Sequence, residues 1–225
     1  MSELTVVCGA SGGLGPAVAN LLAERGDRVI GVAAPRENRE QLEQMVPNVS
    51  WEQADLTDRE QTEQLWARID GLGERVRWLV NITGGYRASR ALETSEDDYR
   101  FLLRLNLDSC WWSCREGGRR IAAGGGGGIV NISARQAVEG GAGSAAYAVS
   151  KAAVLRLSHV LAAELKAEQV RVNVLLPTLI DTPANRAERS AEAMRHAVSP
   201  AAVAEVIGWL CSEESAALTG ASLTV

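Results

Sequence analysis

Apolar residues in this chain fall into two kinds of segment that alternate from one end to the other. Short continuous apolar runs predict buried strands, and segments in which apolar residues recur every three or four positions predict helices. Strands are predicted over residues 4–8, 28–33, 49–53, 76–81, 129–132, 170–175 and 221–225. Helices are predicted over residues 14–22, 37–45, 58–69, 95–120, 145–168 and 201–210.

This alternation indicates repeated βαβ units and therefore a parallel sheet. We expect the α/β class: a single doubly wound Rossmann-type domain over residues 1–225, with a mostly parallel six- or seven-stranded sheet flanked by helices. Crossovers in such sheets are nearly always right-handed, and the ligand crevice lies at the carboxyl ends of the strands. The five consecutive glycines at 124–128 predict a flexible surface loop.

Composition narrows the classes of partner. Apolar residues make up 46% of the 225 residues and charged residues 23%, values typical of a globular domain. The net charge of −5 disfavours a nucleic-acid surface and an acidic membrane. No apolar run reaches the roughly 18 residues of a membrane span, and the first ten residues lack the features of a secretory signal. We expect a cytoplasmic protein with no nucleic-acid or membrane partner.

The four cysteines do not form a C-x-x-C pair. Cys110 and Cys114 are four residues apart on one predicted helix face, where small buried groups are expected. The two histidines, His159 and His196, are distant in sequence from that pair, so we expect no metal site.

A glycine-rich loop follows the first predicted strand. Gly9 permits a tight turn, Gly13 allows the backbone to approach a pyrophosphate, and Gly15 allows the next helix to pack on the strand. Amide groups and the positive end of that helix would face the phosphates. No Gly-Lys-Ser/Thr follows, which excludes a nucleotide triphosphatase loop. Such turns also form for backbone reasons alone, but the position at the first strand–helix junction favours a dinucleotide site.

Tyr147 and Lys151 are four residues apart in a predicted helix, so both lie on one helix face. A nearby ammonium favours the phenolate and lowers the pKa of a tyrosine from its usual value of about 10. Acid–base catalysis improves as that pKa approaches the working pH. A tyrosine and a lysine at this spacing are common by chance, so the pair indicates a catalytic site only in combination with the glycine loop.

Together these motifs resemble the short-chain dehydrogenase/reductase family over nearly the whole chain, with some similarity to its dihydropteridine reductase-like members. Further short matches occur in the family's order. They are Asp55-Leu56, Asn81-Ile82-Thr83-Gly84, Asn106 and Pro177-Thr178, followed by Ile180 and Thr182.

The resemblance implies hydride transfer between NAD(P) and a small-molecule carbonyl or alcohol. Tyr147 would be the general acid/base, Lys151 would hold the nicotinamide ribose and lower the Tyr147 pKa, and Asn106 would support a water relay. The implied cofactor-binding residues are Gly9, Ser11, Gly12, Gly13, Leu14, Gly15, Arg36, Asp55, Leu56, Asn81, Gly84, Tyr147, Lys151, Pro177, Ile180 and Thr182. A homodimer or homotetramer is also implied.

The catalytic serine of the family is the main departure. It usually lies thirteen residues before the tyrosine, where this chain has Ala134. Ser133 is our candidate catalytic serine, although a one-residue step along a strand reverses the side-chain direction. Ser144 is a weaker candidate, and in a third alternative no serine takes part, as in dihydropteridine reductase.

The choice of coenzyme depends on residues after the second strand. An acidic residue there would bind the ribose 2′-hydroxyl of NAD, but no Asp or Glu ends this strand. Arg36 is near enough to meet a 2′-phosphate, whose geometry suits a guanidinium. We therefore predict NADP, with NAD possible, although Gly12 stands where many NADP-preferring relatives carry a basic residue.

Residues 181–199 occupy the place of the family's substrate lid. Arg186 or Arg189 is a candidate contact for an anionic substrate; a short amphipathic helix with a solvated charged face is the plainer interpretation. Tyr86 and Arg87 are expected at the pocket edge, and Trp111 and Trp112 in a helix–helix or subunit interface. Because Ala134 replaces the serine, a non-catalytic dinucleotide-binding sensor or regulatory protein remains an alternative function.

Overall fold

The computed structural model describes residues 3–225. One seven-stranded sheet runs through it in the order β3-β2-β1-β4-β5-β6-β7, and every neighbouring pair of strands is parallel. The strands are β1 (Glu3–Cys8), β2 (Arg28–Ala33), β3 (Ser50–Gln53), β4 (Arg75–Asn81), β5 (Gly127–Ile132), β6 (Val170–Leu176) and β7 (Ser222–Thr224).

Helices connect these strands and cover both faces of the sheet. They are α1 (Gly15–Glu24), α2 (Arg39–Met45), α3 (Arg59–Asp70), α4 (Glu96–Leu103), α5 (Ser109–Ala123), α6 (Ala145–Glu164), α7 (Pro183–Glu188), α8 (Ala191–Met194) and α9 (Pro200–Leu210). The α/β doubly wound architecture predicted from the sequence is confirmed, with a sheet of seven strands.

Strand β1 lies at the point where the strand order reverses. It pairs with β2 on one side and with β4 on the other, so the chain winds outward in both directions from this position. In doubly wound sheets the crevice at such a switch point binds ligands. The carboxyl ends of β1 and β4 are therefore the expected place for a ligand site.

Alternate residues of the buried strands supply two separate apolar layers. In β1, Val7 belongs to the layer that includes Val18 of α1, whereas Val6 belongs to the layer that includes Leu65 and Trp66 of α3. This follows from the two-residue period of a strand, which sends neighbouring side chains to opposite faces. Both faces are buried, which explains why the strands appear in the sequence as continuous apolar runs.

Three local predictions need correction. The helix predicted over 95–120 contains a π-helical turn at Arg104–Asp108, between α4 and α5. The helix that follows β5 ends at Glu164 rather than at residue 168. The glycine run is only partly a loop, since β5 begins at Gly127, where a Cβ atom would lie within 2.1 Å of the Arg77 carbonyl oxygen. Glycine is needed there because the backbones meet too closely for a side chain.

Candidate active site

A cavity of about 1860 Å³ lies at the carboxyl ends of the strands. The loop between β1 and α1 forms one wall. The segments that follow β2, β4, β5 and β6 form the others, and the start of α7 covers one side. This is the crevice expected of the fold, and its size suits an extended ligand.

The glycine loop shapes the floor of the crevice. Gly9 has a φ of 84°, and a Cβ atom there would lie 2.7 Å from the Thr83 amide nitrogen. A Cβ atom at Gly15 would lie 2.4 Å from the carbonyl of Ala10, so this glycine lets α1 pack against the preceding turn. The tight turn at Gly9 and the close packing at Gly15 are as predicted from the sequence.

Two amide groups of this loop fit an anionic ligand. Those of Gly13 and Leu14 lack a hydrogen-bond acceptor in the described part of the chain, and both residues line the crevice ahead of α1. Unpaired amides at a helix N-terminus favour phosphate.

Gly13 also contacts the segment after β6. A Cβ atom at Gly13 would lie 2.7 Å from the Thr182 methyl carbon. Thr182 caps α7, since its hydroxyl accepts a hydrogen bond of 3.3 Å from the Asn185 amide. The first turn of the predicted lid therefore rests directly on the glycine loop.

Tyr147 lies in the first turn of α6 and faces the crevice. Its ring packs edge-on against Tyr86, with the centroids 5.0 Å apart and the planes at 73°. Burial, with a smaller effect of Tyr86, raises the pKa of Tyr147 to about 12, and the Arg189 charge opposes this rise. The family resemblance implies that Lys151 lowers the pKa of this phenol, but the cation that does so in this structure is Arg189.

Lys151 is buried one helical turn later. Its Nζ atom donates a 3.0 Å hydrogen bond to the Ile132 carbonyl oxygen at the end of β5. Burial lowers the pKa of this ammonium to about 8. Gly84 makes room for it, since a Cβ atom at that position would lie 3.0 Å from Nζ.

Asn106 is buried in the π-helical turn, and its side chain is fully used by the protein. Its Oδ1 atom accepts from the Gly85 amide at 2.9 Å, and its Nδ2 atom donates to the Gly85 carbonyl at 3.1 Å. Nδ2 also donates to Ser150 Oγ at 3.0 Å. Asn106 thus joins the segment after β4 to α6 and positions both, while its side chain does not line the crevice.

The hydroxyl of Ser133 is directed toward α6. It donates a 2.7 Å hydrogen bond to the Lys151 main-chain oxygen, and the side chain is buried. Ser133 lines the crevice, as expected of the candidate catalytic serine, but its hydroxyl donates to the main chain of α6, which favours an anchoring role. Ala134 lines the crevice in the place of the usual serine, and Ser144 does not line it.

The end of the crevice next to β2 contains a carboxylate that the sequence prediction missed. Glu37 Oε1 accepts hydrogen bonds from Ser11 Oγ at 2.7 Å and from the Ala34 amide at 2.9 Å. Arg36 is exposed at the same rim and has no partner in residues 3–225. A serine in the glycine loop, opposite an acid four positions past the second strand, is the signal that could have identified Glu37.

Two of the implied cofactor-binding residues lie outside the crevice. Asn81 is buried within the sheet, where its Nδ2 atom donates to Asn131 Oδ1 at 2.8 Å, so its side chain holds β4 to β5. Gly15 serves the packing of α1 described above. The implied residues that do line the crevice are Gly9, Ser11, Gly12, Gly13, Leu14, Arg36, Asp55, Leu56, Gly84, Tyr147, Lys151, Pro177, Ile180 and Thr182.

Charged residues surround the substrate end. Arg87 stacks on Phe101, with its guanidinium 3.6 Å from the ring centroid, and forms an ion pair with Asp98 at 2.6 Å. Its charge is therefore balanced within the protein. His196 is exposed and does not line the crevice. Arg189 extends from the end of α7, and its guanidinium lies 4.6 Å from the centroid of the Tyr86 ring.

The chain resembles known reductases over its full length. A family model described as enoyl-(acyl carrier protein) reductase matches residues 9–225. Carbonyl reductase family member 4 of Danio rerio is 32% identical over 232 residues, which cover 100% of this chain and 97% of that protein. The 3-oxoacyl-(acyl-carrier-protein) reductase FabG of Vibrio cholerae is 29% identical over 232 residues, covering 99% and 95%.

Solved structures show the same likeness. A short-chain type dehydrogenase/reductase from Mycobacterium ulcerans superposes with a TM-score of 0.92 at 26% identity, covering 100% of this chain and 90% of that one. ElxO with NADP bound superposes with a TM-score of 0.93 at 23% identity, covering 100% and 97%, a likeness that concerns the fold.

No helix within residues 3–225 has the length and apolar character that a membrane crossing requires. The family match over residues 9–225 and the 32% identity across the chain establish that this protein belongs to the short-chain dehydrogenase/reductase family and is an NAD(P)-dependent enzyme.

Proposed function

We propose that this enzyme interconverts a small carbonyl compound and the corresponding alcohol, with NADP(H) as coenzyme and Tyr147 as general acid/base. The supporting observation is that Tyr147 and Lys151 line the same crevice as a glycine loop with unpaired amide groups. Within this proposal the chain is one domain, and residues 181–199 form its substrate lid.

The crevice suits a dinucleotide. The amides of Gly13 and Leu14 would hold the pyrophosphate, Asp55 would lie beside the adenine, and Lys151 would bind the nicotinamide ribose. When bound, the coenzyme supplies or accepts a hydride at its nicotinamide ring. The protein contributes position and electrostatics around the reacting carbon.

Proton transfer is assigned to Tyr147. With a pKa raised to about 12, its phenol keeps its proton at neutral pH and can donate it to a substrate oxygen. The positive charge of Arg189 then favours the phenolate that remains, and Lys151 holds the nicotinamide ribose. Because Ala134 offers no hydroxyl, Tyr147 is the hydrogen-bond donor to the substrate oxygen in this proposal, and Ser133 anchors α6.

Replacing Tyr147 with Phe tests the assignment. We expect kcat to fall by about 10²–10⁴-fold, the usual contribution of general acid–base catalysis. The dissociation constant of NADPH, measured by fluorescence titration, should change by no more than about threefold, since the phenol hydroxyl is one contact among many. Undiminished carbonyl reduction by Tyr147→Phe would reject the mechanism.

The preference for NADP is assigned to Arg36. Its unpaired guanidinium suits a 2′-phosphate, whereas the Glu37 carboxylate nearby opposes it. We expect Arg36→Ala to lower kcat/KM for NADPH by about tenfold while leaving kcat/KM for NADH nearly unchanged, in keeping with the loss of one charge-assisted contact. Glu37→Gln should raise kcat/KM for NADPH relative to kcat/KM for NADH. An equal loss with both coenzymes in Arg36→Ala would contradict the assignment.

Ala134 also favours a second candidate, a dinucleotide-binding sensor or regulatory protein without turnover. The two functions separate in a screen of aldehydes and ketones read at the nicotinamide absorbance. Tight NADPH binding without oxidation across the panel would support the sensor, and efficient turnover of any member would exclude it.

We further propose a cytoplasmic homodimer or homotetramer. All four cysteines are buried free thiols, as expected in a reducing compartment. The family resemblance assigns the subunit contact to the helices predicted over 95–120 and 145–168, which are α4–α5 and α6 in the structure. Trp111 of α5 is 48% exposed. A large exposed aromatic residue is typical of an interface.

A further inference from the structure

We infer that the substrate carries a carboxylate and that Arg189 binds it beside Tyr147. This inference rests on the proposed function and adds to it a substrate class, the oxo- and hydroxycarboxylic acids. The geometry of three neighbouring side chains and the state of their hydrogen-bonding groups support it.

Arg189, Tyr86 and Tyr147 form a continuous row of side chains. The Arg189 guanidinium lies 4.6 Å from the Tyr86 centroid, and the Tyr86 centroid lies 5.0 Å from that of Tyr147. The row thus connects the lid to the residue that transfers the proton. Tyr86 and Tyr147 line the crevice, whereas Arg189 lines a small surface pocket of the lid on the other side of the Tyr86 ring, so a substrate held at Tyr147 must extend past that ring to reach the guanidinium.

Arg189 differs from its neighbours in having no anionic partner. Arg186 forms a double hydrogen bond with Asp181, at 2.5 and 2.7 Å, and Arg195 lies 3.7 Å from Glu192. Across residues 3–225 no carboxylate pairs with Arg189, and its Nε atom is buried with no acceptor. The buried Nε atom is closed to a ligand, but the terminal N–H groups of Arg189 are neither buried nor paired in residues 3–225, so they can meet an acceptor from outside the chain.

The stacking on Tyr86 leaves the Arg189 hydrogen-bond donors available. The ring lies near the guanidinium at the distance of a cation–π contact, which holds it in place without using an N–H group. A planar fork of N–H donors matches a carboxylate, which it binds through two parallel hydrogen bonds.

Other charges near Arg189 do not neutralise it. Glu188 lines the crevice but is exposed and unpaired with Arg189, so solvent screens its charge. The Arg189 charge also lowers the pKa of Tyr147, which means that its field reaches the reacting phenol. An anion placed here would lie within the same electrostatic site as the carbonyl to be reduced.

The test compares 4-carboxybenzaldehyde with 4-formylbenzamide, its uncharged analogue of the same shape, and the corresponding 3-substituted pair. In wild type we expect kcat/KM for the acid to exceed that for the amide by about tenfold or more. This preference should appear in whichever pair, 3- or 4-substituted, has the distance between aldehyde and carboxylate that fits Tyr147 and Arg189. Arg189→Ala should bring this acid-to-amide ratio to about one, because loss of the charge near the Tyr147 phenol affects both substrates alike, whereas only the acid also loses the charged contact.

Arg186→Ala is the matched control. It removes the same charge from the same lid, but from an arginine already paired with Asp181. We expect it to preserve the acid-to-amide ratio, whereas Arg189→Lys, which retains the charge without the fork, should preserve only part of it. An unchanged ratio in Arg189→Ala would overturn the inference.

A turnover-free readout separates this inference from the proposed function. Benzoate should bind wild type and Arg186→Ala at least tenfold more tightly than Arg189→Ala by calorimetry, and benzamide should not distinguish the three. If acid and amide reduction fall equally in Arg189→Ala with a shifted pH profile, Arg189 acts only on Tyr147 and the carboxylate site is wrong. If no aldehyde is reduced in a Tyr147-dependent way, the proposed function fails, and benzoate binding still decides the carboxylate site.

Discussion

At the scale of single residues, the buried charge of Lys151 has a cost in stability. Its ammonium group donates to the Ile132 carbonyl oxygen, and burial lowers its pKa from 10.5 to about 8. The lowered pKa means that the folded state binds this proton less tightly than the unfolded state does. The charge that we propose to bind the coenzyme ribose therefore opposes folding in the free protein.

Lys151→Met should consequently have a free energy of unfolding about 1–3 kcal/mol larger than that of wild type at pH 7, measured by urea denaturation. It should also lose activity. The cost of burying the charge is fully present below pH 8 and fades as the pH rises toward 10.5, where the lysine is neutral in both states. We therefore expect the advantage of the variant to shrink between pH 7 and pH 10. A variant less stable than wild type at pH 7 would show that the buried ammonium does not oppose folding.

At the scale of elements, the π-helical turn at Arg104–Asp108 directs Asn106 toward the segment after β4. An uninterrupted α-helix would have turned that side chain differently, because one additional residue enters the turn. The turn thus aligns Asn106 with the Gly85 backbone and with Ser150, one residue before Lys151. The crevice wall after β4 and the helix α6 therefore depend on this π-helical turn for their positions.

Asn106→Leu should lower the free energy of unfolding by about 2–4 kcal/mol, because the Gly85 amide and carbonyl and the Ser150 hydroxyl lose their partner in a buried place. The measurement is urea denaturation followed by circular dichroism. Asn20→Leu is the control, since Asn20 bonds only the exposed Glu24 and should cost less than about 0.5 kcal/mol. Equal stabilities of Asn106→Leu and wild type would show that the Asn106 hydrogen bonds are unimportant for folding.

The sequence predicted the strands and long helices well, because burial on both sheet faces leaves a simple apolar pattern. It placed Tyr147, Lys151 and the glycine loop correctly at the crevice, since each follows a strand. It did not predict the π-helical turn, the Glu37 contact with Ser11, or the short lid helices α7 and α8. These depend on contacts between distant residues or on backbone hydrogen bonds that leave no periodic signal.

At the scale of the whole molecule, the proposed assembly can be tested at Trp111. Wild type should have the mass of a dimer or tetramer by light scattering, and Trp111→Glu should shift it to a smaller species, since a buried unpaired charge is costly in an interface. Met45→Glu alters a similarly exposed apolar residue, 46% against 48% for Trp111, and should leave the mass unchanged. A monomeric wild type would exclude the assembly.

The glycine run at 124–128 has a practical consequence for anyone wishing to fuse a reporter into the chain. Gly125 has open space around it, but Gly126 and Gly127, which follow it directly, lie against Gln169 and the Arg77 carbonyl, so a sequence inserted at either of them would separate β5 from its neighbours. Gly73, in the turn that precedes β4, has open space around it and lies at the amino ends of the strands, away from the crevice at their carboxyl ends. A fluorescent or affinity module belongs there.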